Sequence, residues 1–127
     1  MIYLACPYSH DDPAIRALRF RVVTQFASKL MMDGFSIFSP ITHCHPIAEF
    51  GDLPTSWFYW RKYDREMIEM CDSIMVLMLP GWKELIENDN SDRFSENIRL
   101  SKELNKSIQY IDPYLRGLDI PELLLNP

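Results

Sequence analysis

The sequence predicts an α/β fold: a four- to five-stranded parallel sheet with helices on both faces, a three-layer flavodoxin/Rossmann-like arrangement in which residues 1–127 form one domain. Three observations predict it. Short apolar runs alternate with segments of helical periodicity along the whole chain. The run Ser73-Ile74-Met75-Val76-Leu77-Met78-Leu79 is apolar without polar alternation, as a strand covered on both faces requires. A chain of 127 residues, 47% of them hydrophobic, can bury one core and is too short for two domains.

The elements follow in order. Ile2 to Ala5 is a buried strand ended by Pro7. Asp12-Pro13 starts a helix, with the acid as N-cap and proline at the first helical position. Ile15, Leu18, Val22, Phe26 and Leu30 form its core stripe, and Gly34 closes it. Phe35 to Ser39 reads as a second strand stopped by Pro40, and the proline-punctuated stretch from Pro40 to Pro54 reads as a long irregular loop. Thr55 or Ser56 caps the next helix, the apolar run from Ser73 to Leu79 is the third strand, and Pro80-Gly81 breaks it. A polar loop from Lys83 to about Asp92 leads into a helix with the stripe Phe94, Ile98, Ser101 and Leu104. Ser107 to Ile111 is the fourth strand, and the tail from Pro113 holds at most one or two short helical turns.

Composition excludes several classes. A net charge of −5 provides no general attraction to nucleic acid. No apolar run approaches the roughly 20 residues that span a bilayer, so no membrane partner is expected. The opening Ile2-Tyr3-Leu4-Ala5 reads as a strand rather than a signal peptide. Cys6, Cys44 and Cys71 are odd in number and lack CxxC spacing, which fits a reducing cytoplasm without a disulfide framework or zinc site. His43 and His45 alternate in extended backbone without a third ligand at suitable spacing, so no metal and no cofactor are expected.

Right-handed crossovers bring the loop after each strand to one edge of the sheet, where open α/β sheets bind their ligands. Those loops run from Cys6 to Asp12, Pro40 to Pro54 and Pro80 to Asp92. The first has no glycine and carries Asp11 and Asp12, which argues against a dinucleotide fingerprint or a P-loop. A monophosphate can still meet Arg16 or Arg19 on the helix that follows, and Arg19 borders its apolar stripe.

The most informative residue is Asp64. On the helix that begins near Trp57, the positions Trp57, Trp60, Asp64, Met67 or Ile68, and Cys71 share one face, and only Asp64 is charged. A carboxylate is costly to remove from water unless it is paired, hydrogen-bonded or used. It either ties down a neighbouring loop or belongs to a site. With a tyrosine-rich first loop and with Ser91, Glu96 and Asn97 opening a later helix, converging carboxylates suit chemistry at a sugar carbon.

Tyr3-Leu4-Ala5-Cys6-Pro7-Tyr8-Ser9, Phe38-Ser39-Pro40-Ile41 with His43 and His45-Pro46, Asp64, Cys71-Asp72, Leu79-Pro80-Gly81-Trp82 and Glu103-Leu104-Asn105-Lys106 occur in this order. In them the chain resembles the nucleoside 2-deoxyribosyltransferase superfamily, in particular its small bacterial and phage members of unassigned function, to which nucleotide N-glycosidases are related. The resemblance implies cleavage or transfer at the N-glycosidic bond of a nucleoside or nucleoside 5′-monophosphate, and a homo-oligomer. It implies that Tyr8 and Asp64 orient the sugar, that Glu96 serves as nucleophile or acid/base, and that Ser91 holds a phosphate or hydroxyl. Tyr3, Ser9 and His10, with Arg19, His45 and Asn97, complete the candidate substrate-binding set. The superfamily's nucleophilic glutamate corresponds to Asn97, and Asp92-Arg93 stand where a small residue or glycine usually follows the serine. The residues thus fit two functions: an N-glycosidase or deoxyribosyltransferase-like enzyme, and a catalytically inactive nucleotide-binding or sensing module using the same pocket. The run Trp57-Phe58-Tyr59-Trp60 cannot all face one core, which leaves part of it for a partner subunit.

Overall fold

A computed structural model describes residues 1–88 and 92–127. Four strands, β1 (Ile2–Ala5), β2 (Ile37–Phe38), β3 (Ser73–Leu77) and β4 (Ser107–Ile111), form one all-parallel sheet in the order β2-β1-β3-β4. Tyr3 lies opposite Phe38 on one side and Ile74 on the other, and Val76 opposite Tyr110. The helices are α1 (Pro13–Met32), α2 (Pro40–Gly51), α3 (Trp57–Met70), α4 (Trp82–Glu87) and α5 (Arg93–Glu103), followed by 3-10 turns at Pro113–Arg116 and Glu122–Leu124.

Strand pleat divides the core in two. Leu4, Met75 and Leu77 point to a cluster with Val22, Val23, Phe26 and Leu30 of α1, and the tail adds Leu118 and Leu124. Tyr3, Ala5, Ile74 and Val76 point the other way, to Ile68 of α3 and Phe94 and Ile98 of α5. Both faces of β1 and β3 are thus covered, which is why neither shows polar alternation. This is a three-layer, Rossmann-like α/β fold.

Helix α1 begins and ends as its sequence requires. The Asp12 carboxylate accepts from the Ala14 N–H at 2.9 Å, with Pro13 in the first turn. At the other end Gly34 has φ +95°, and its N–H and that of Phe35 reach back to the carbonyls of Met31 and Leu30. That is a Schellman closure, for which only glycine is unstrained.

Two expected loops are helical. The stretch from Pro40 onward is α2, not an irregular segment. Ser39 caps it by accepting from the Thr42 N–H, Pro40 occupies the first turn, and Asp52 ends it in the left-handed region at φ 52°. Pro46 lies inside, where it leaves the Thr42 carbonyl without its helical donor. Packing against α1, through buried Ile41, the Phe20–His45 ring stack and the Thr24–Thr42 hydrogen bond, outweighs that loss. The segment after Pro80-Gly81 forms the short α4 rather than a polar loop, with Leu85 and Ile86 against the α3–α5 side of the core. The second strand is shorter than Phe35–Ser39, and the third stops at Leu77.

The order β2-β1-β3-β4 makes the chain leave β1 and β3 in opposite directions, through α1 on one face and α4–α5 on the other. Their C-terminal ends therefore part, and a crevice opens between them.

Candidate functional site

The crevice has an open part and a closed part. The open part is a cleft of ≈ 450 Å³ between Ser9 and His10 of the first loop and Gly81, Glu84 and Asn88 beyond β3, with Arg19 on its wall. The closed part lies deeper, toward α3 and α5, where Tyr3, Tyr8, Arg93 and Asn97 border only ≈ 20 Å³. Pockets that take small ligands hold about 300–1,000 Å³, and a single water needs little more than 10–15 Å³. The cleft has room for a ligand, and the deep cavity has room for a water.

Asp64 lies behind the Arg93 and Asn97 side of the deep cavity's lining, at 0% exposure. Arg93 grips it with both arms of the fork: Nε donates to Oδ2 and Nη2 to Oδ1, each at 2.6 Å. Asn97 Nδ2 donates to the same Oδ2 at 2.9 Å and to the Tyr3 hydroxyl at 3.2 Å. Arg93 and Asn97 are one helical turn apart on α5, so both reach one carboxylate. The guanidinium also lies 4.9 Å from the centre of the Trp60 ring and donates to Cys44 Sγ at 3.7 Å. The N-cap Asp92 sets the start of α5 by accepting from the Phe94 and Ser95 N–H groups.

Charge in this cluster is balanced internally. Burial works against the Arg93 cation, but the hydrogen bonds and charge of Asp64 outweigh it and hold its pKa above the ordinary arginine value. Burial, and then the negative charge of Asp64, push the Tyr3 hydroxyl well above the usual tyrosine range, so it stays protonated. Asn97 Oδ1 is buried and accepts no hydrogen bond among the described residues.

A second pair lies beside the cluster. The Tyr8 hydroxyl meets His45 Nδ1 at 2.5 Å, and the imidazole stacks on Phe20 at 4.4 Å between centroids. Burial lowers the His45 pKa, the cation of Arg16 lowers it further, and Glu49 opposes both. The ring is therefore neutral at pH 7 and can take a proton through one of its nitrogens.

The structure brings some of the expected residues together and separates others. Tyr3, Asp64 and Asn97 meet; Tyr8 and His45 meet; Ser9, His10 and Arg19 share the open cleft. Glu96 does not join Asp64. It faces the outer groove between α3 and α5, paired with Arg99 at 2.8 Å. Ser91, the expected phosphate contact, lies outside the described residues. Arg93, the partner of Asp64, was not among the expected site residues. A buried acid facing a helix that opens with an arginine was the available signal, because such a charge demands a cation. Among the described residues no three His, Cys, Asp or Glu side chains gather to hold a metal ion, and no helix is long and apolar enough to cross a membrane.

No curated protein matches this chain. The family described as Domain of unknown function (DUF1937) matches residues 1–96, from β1 through the first turn of α5. That stretch includes the open cleft's first loop, Asp64 and Arg93, and the chain belongs to the DUF1937 family.

Proposed function

We propose that this protein recognises a nucleoside or nucleoside 5′-monophosphate in the cleft between β1 and β3 and holds it intact, as a binding or sensing module. The ligand class rests on the resemblance to the nucleoside 2-deoxyribosyltransferase superfamily. The binding role rests on one observation: both oxygens of Asp64 are taken by Arg93, and Asn97 stands beside them where that superfamily has a carboxylate. An amide cannot form a glycosyl ester, and ≈ 20 Å³ cannot admit a sugar. Asp92-Arg93 stand where that superfamily usually has a small residue or glycine, and Arg93 lines the small cavity.

The second function, cleavage or transfer at the N-glycosidic bond, is favoured by the Tyr8–His45 pair. A neutral imidazole against a hydroxyl at the cavity rim is a competent general base for a water. It requires Arg93 to leave Asp64, and Glu96 takes no part from its place beside Arg99. The homo-oligomer implied by the resemblance finds support in Phe58 and Tyr59, which are 69% and 49% exposed. A reducing, cytoplasmic setting is supported by three buried free thiols.

The test is a panel of common nucleosides and their 5′-monophosphates, each assayed for a thermal shift and then chromatographed. The binding reading expects at least one ligand to raise Tm and to be recovered whole. Free base released in proportion to protein, and lost in Tyr8→Phe, establishes the second reading instead.

A further inference from the structure

Arg19 is a buried cation, 3% exposed, that forms no ion pair among the described residues. Arg93 makes the comparison: equally deep, it holds Asp64 in its fork. Among the described residues Arg19 has only backbone acceptors, its Nη1 donating to the Tyr8 carbonyl at 3.2 Å and the Ser9 carbonyl at 3.0 Å. A guanidinium carries five N–H donors, and these two bonds use one nitrogen. Burial pulls its pKa below the ordinary value, with Cys6 and Asp92 opposing only in part. Such a charge is costly to keep unless something pairs with it.

The unused side of the fork faces the open cleft. Arg19 lines that cleft, and a Cβ built on Gly81 would come 3.8 Å from its Nη2. Gly81 has φ +95°, so the turn that crosses the guanidinium carries no side chain over it. Ser9 and His10 line the same cleft. The Asp12 N–H donates to His10 Nδ1 at 2.9 Å, which leaves the ring proton on Nε2 as a further donor. Residues bearing a planar fork, an imidazole and a hydroxyl thus line one ≈ 450 Å³ space.

We propose that Arg19, His10 and Ser9 form an anion subsite that takes a phosphate monoester, namely the 5′-phosphate of the nucleotide that the cleft receives; this rests on the nucleotide reading above. The fork supplies paired N–H donors to two phosphate oxygens, as arginine does wherever planar recognition matters. The rest of the cleft then takes the nucleoside. Glu84, an exposed member of the cleft lining, works against the anion, as does Asp92, whose charge already acts on Arg19.

Calorimetric titration of the full chain with a nucleoside, its 5′-monophosphate and inorganic phosphate tests this. The monophosphate should bind about tenfold or more tightly than the nucleoside, the worth of one or two charge-assisted hydrogen bonds. Arg19→Met should erase that preference, and Arg19→Lys, which keeps the charge but loses the fork, should fall between. Glu84→Gln should raise the preference for the monophosphate over the nucleoside about two- to fivefold, as removal of one exposed charge allows. That variant carries the test if circular dichroism shows Arg19→Met unfolded. Equal affinity for nucleoside and monophosphate, or a preference that survives in Arg19→Met, overturns the subsite while leaving nucleoside binding in place. Arg19-dependent binding of inorganic phosphate with no binding of either nucleoside form keeps the subsite and overturns the nucleotide reading. Binding of none of the three overturns both.

Discussion

Asp64 and Arg93 define the residue scale, because each makes sense only with the other. With Arg93 present, Asp64 is a satisfied buried charge; without it, the carboxylate is stranded at 0% exposure. Asp64→Asn and Arg93→Met should each cost about 3–5 kcal/mol in denaturant unfolding, since each leaves an unpaired buried charge. The double variant should cost well under the sum, which a double-mutant cycle measures. The His45 pair makes a pH prediction. Its folded pKa is depressed by burial and Arg16, so unfolding takes up a proton. The stability it contributes is whole above the ordinary imidazole value of about 6.5 and is lost as pH falls through that value toward the folded pKa. Tm should therefore decline through this window in the wild type and decline less in His45→Asn, as followed by differential scanning calorimetry. Of the site residues, Asp64 was legible because a charge interrupts an otherwise apolar helical stripe. Arg93 was not, because a lone arginine in a helix's first turn looks like any solvated residue until the fold sets it against the acid. Glu96 and Asn97 are neighbours in sequence, and a single step around α5 sends one to Arg99 and the other to Asp64.

Among the elements, those with strong periodicity or explicit caps were legible: α1 between Asp12 and Gly34, the strands β1, β3 and β4, and α5 after Asp92. Helix α2 was hidden by its own composition. Pro40, Pro46 and Pro54 signal a loop locally, and the contact of Ile41 with the core and of His45 and Thr42 with α1 makes helix the better state. Helix α4 is shorter than two turns' worth of pattern and has no N-cap side chain, so nothing local distinguishes it from a loop. The start of α5 bears most directly on the site, because it aims Arg93 and Asn97. Asp92→Ala removes the acceptor for the Phe94 and Ser95 N–H groups and for the Ser95 hydroxyl. The expected loss is about 1–2 kcal/mol, with faster hydrogen exchange confined to the first turn of α5.

For the whole molecule, topology fixes where a ligand can go and side chains decide what happens to it. The order β2-β1-β3-β4 opens a crevice at the ends of β1 and β3 whatever the chemistry. Within it Arg93 closes the deep part and Arg19 leaves the outer part cationic and open. The proposed arrangement seats a nucleotide in the outer cleft with the Asp64–Arg93 pair undisturbed. A crystal structure with a bound nucleoside 5′-monophosphate tests it most directly. The predicted result is an intact glycosidic bond, the phosphate against Arg19, and Arg93 still seated on Asp64. Separated base and sugar, or Arg93 displaced with the sugar against Asp64, would contradict it.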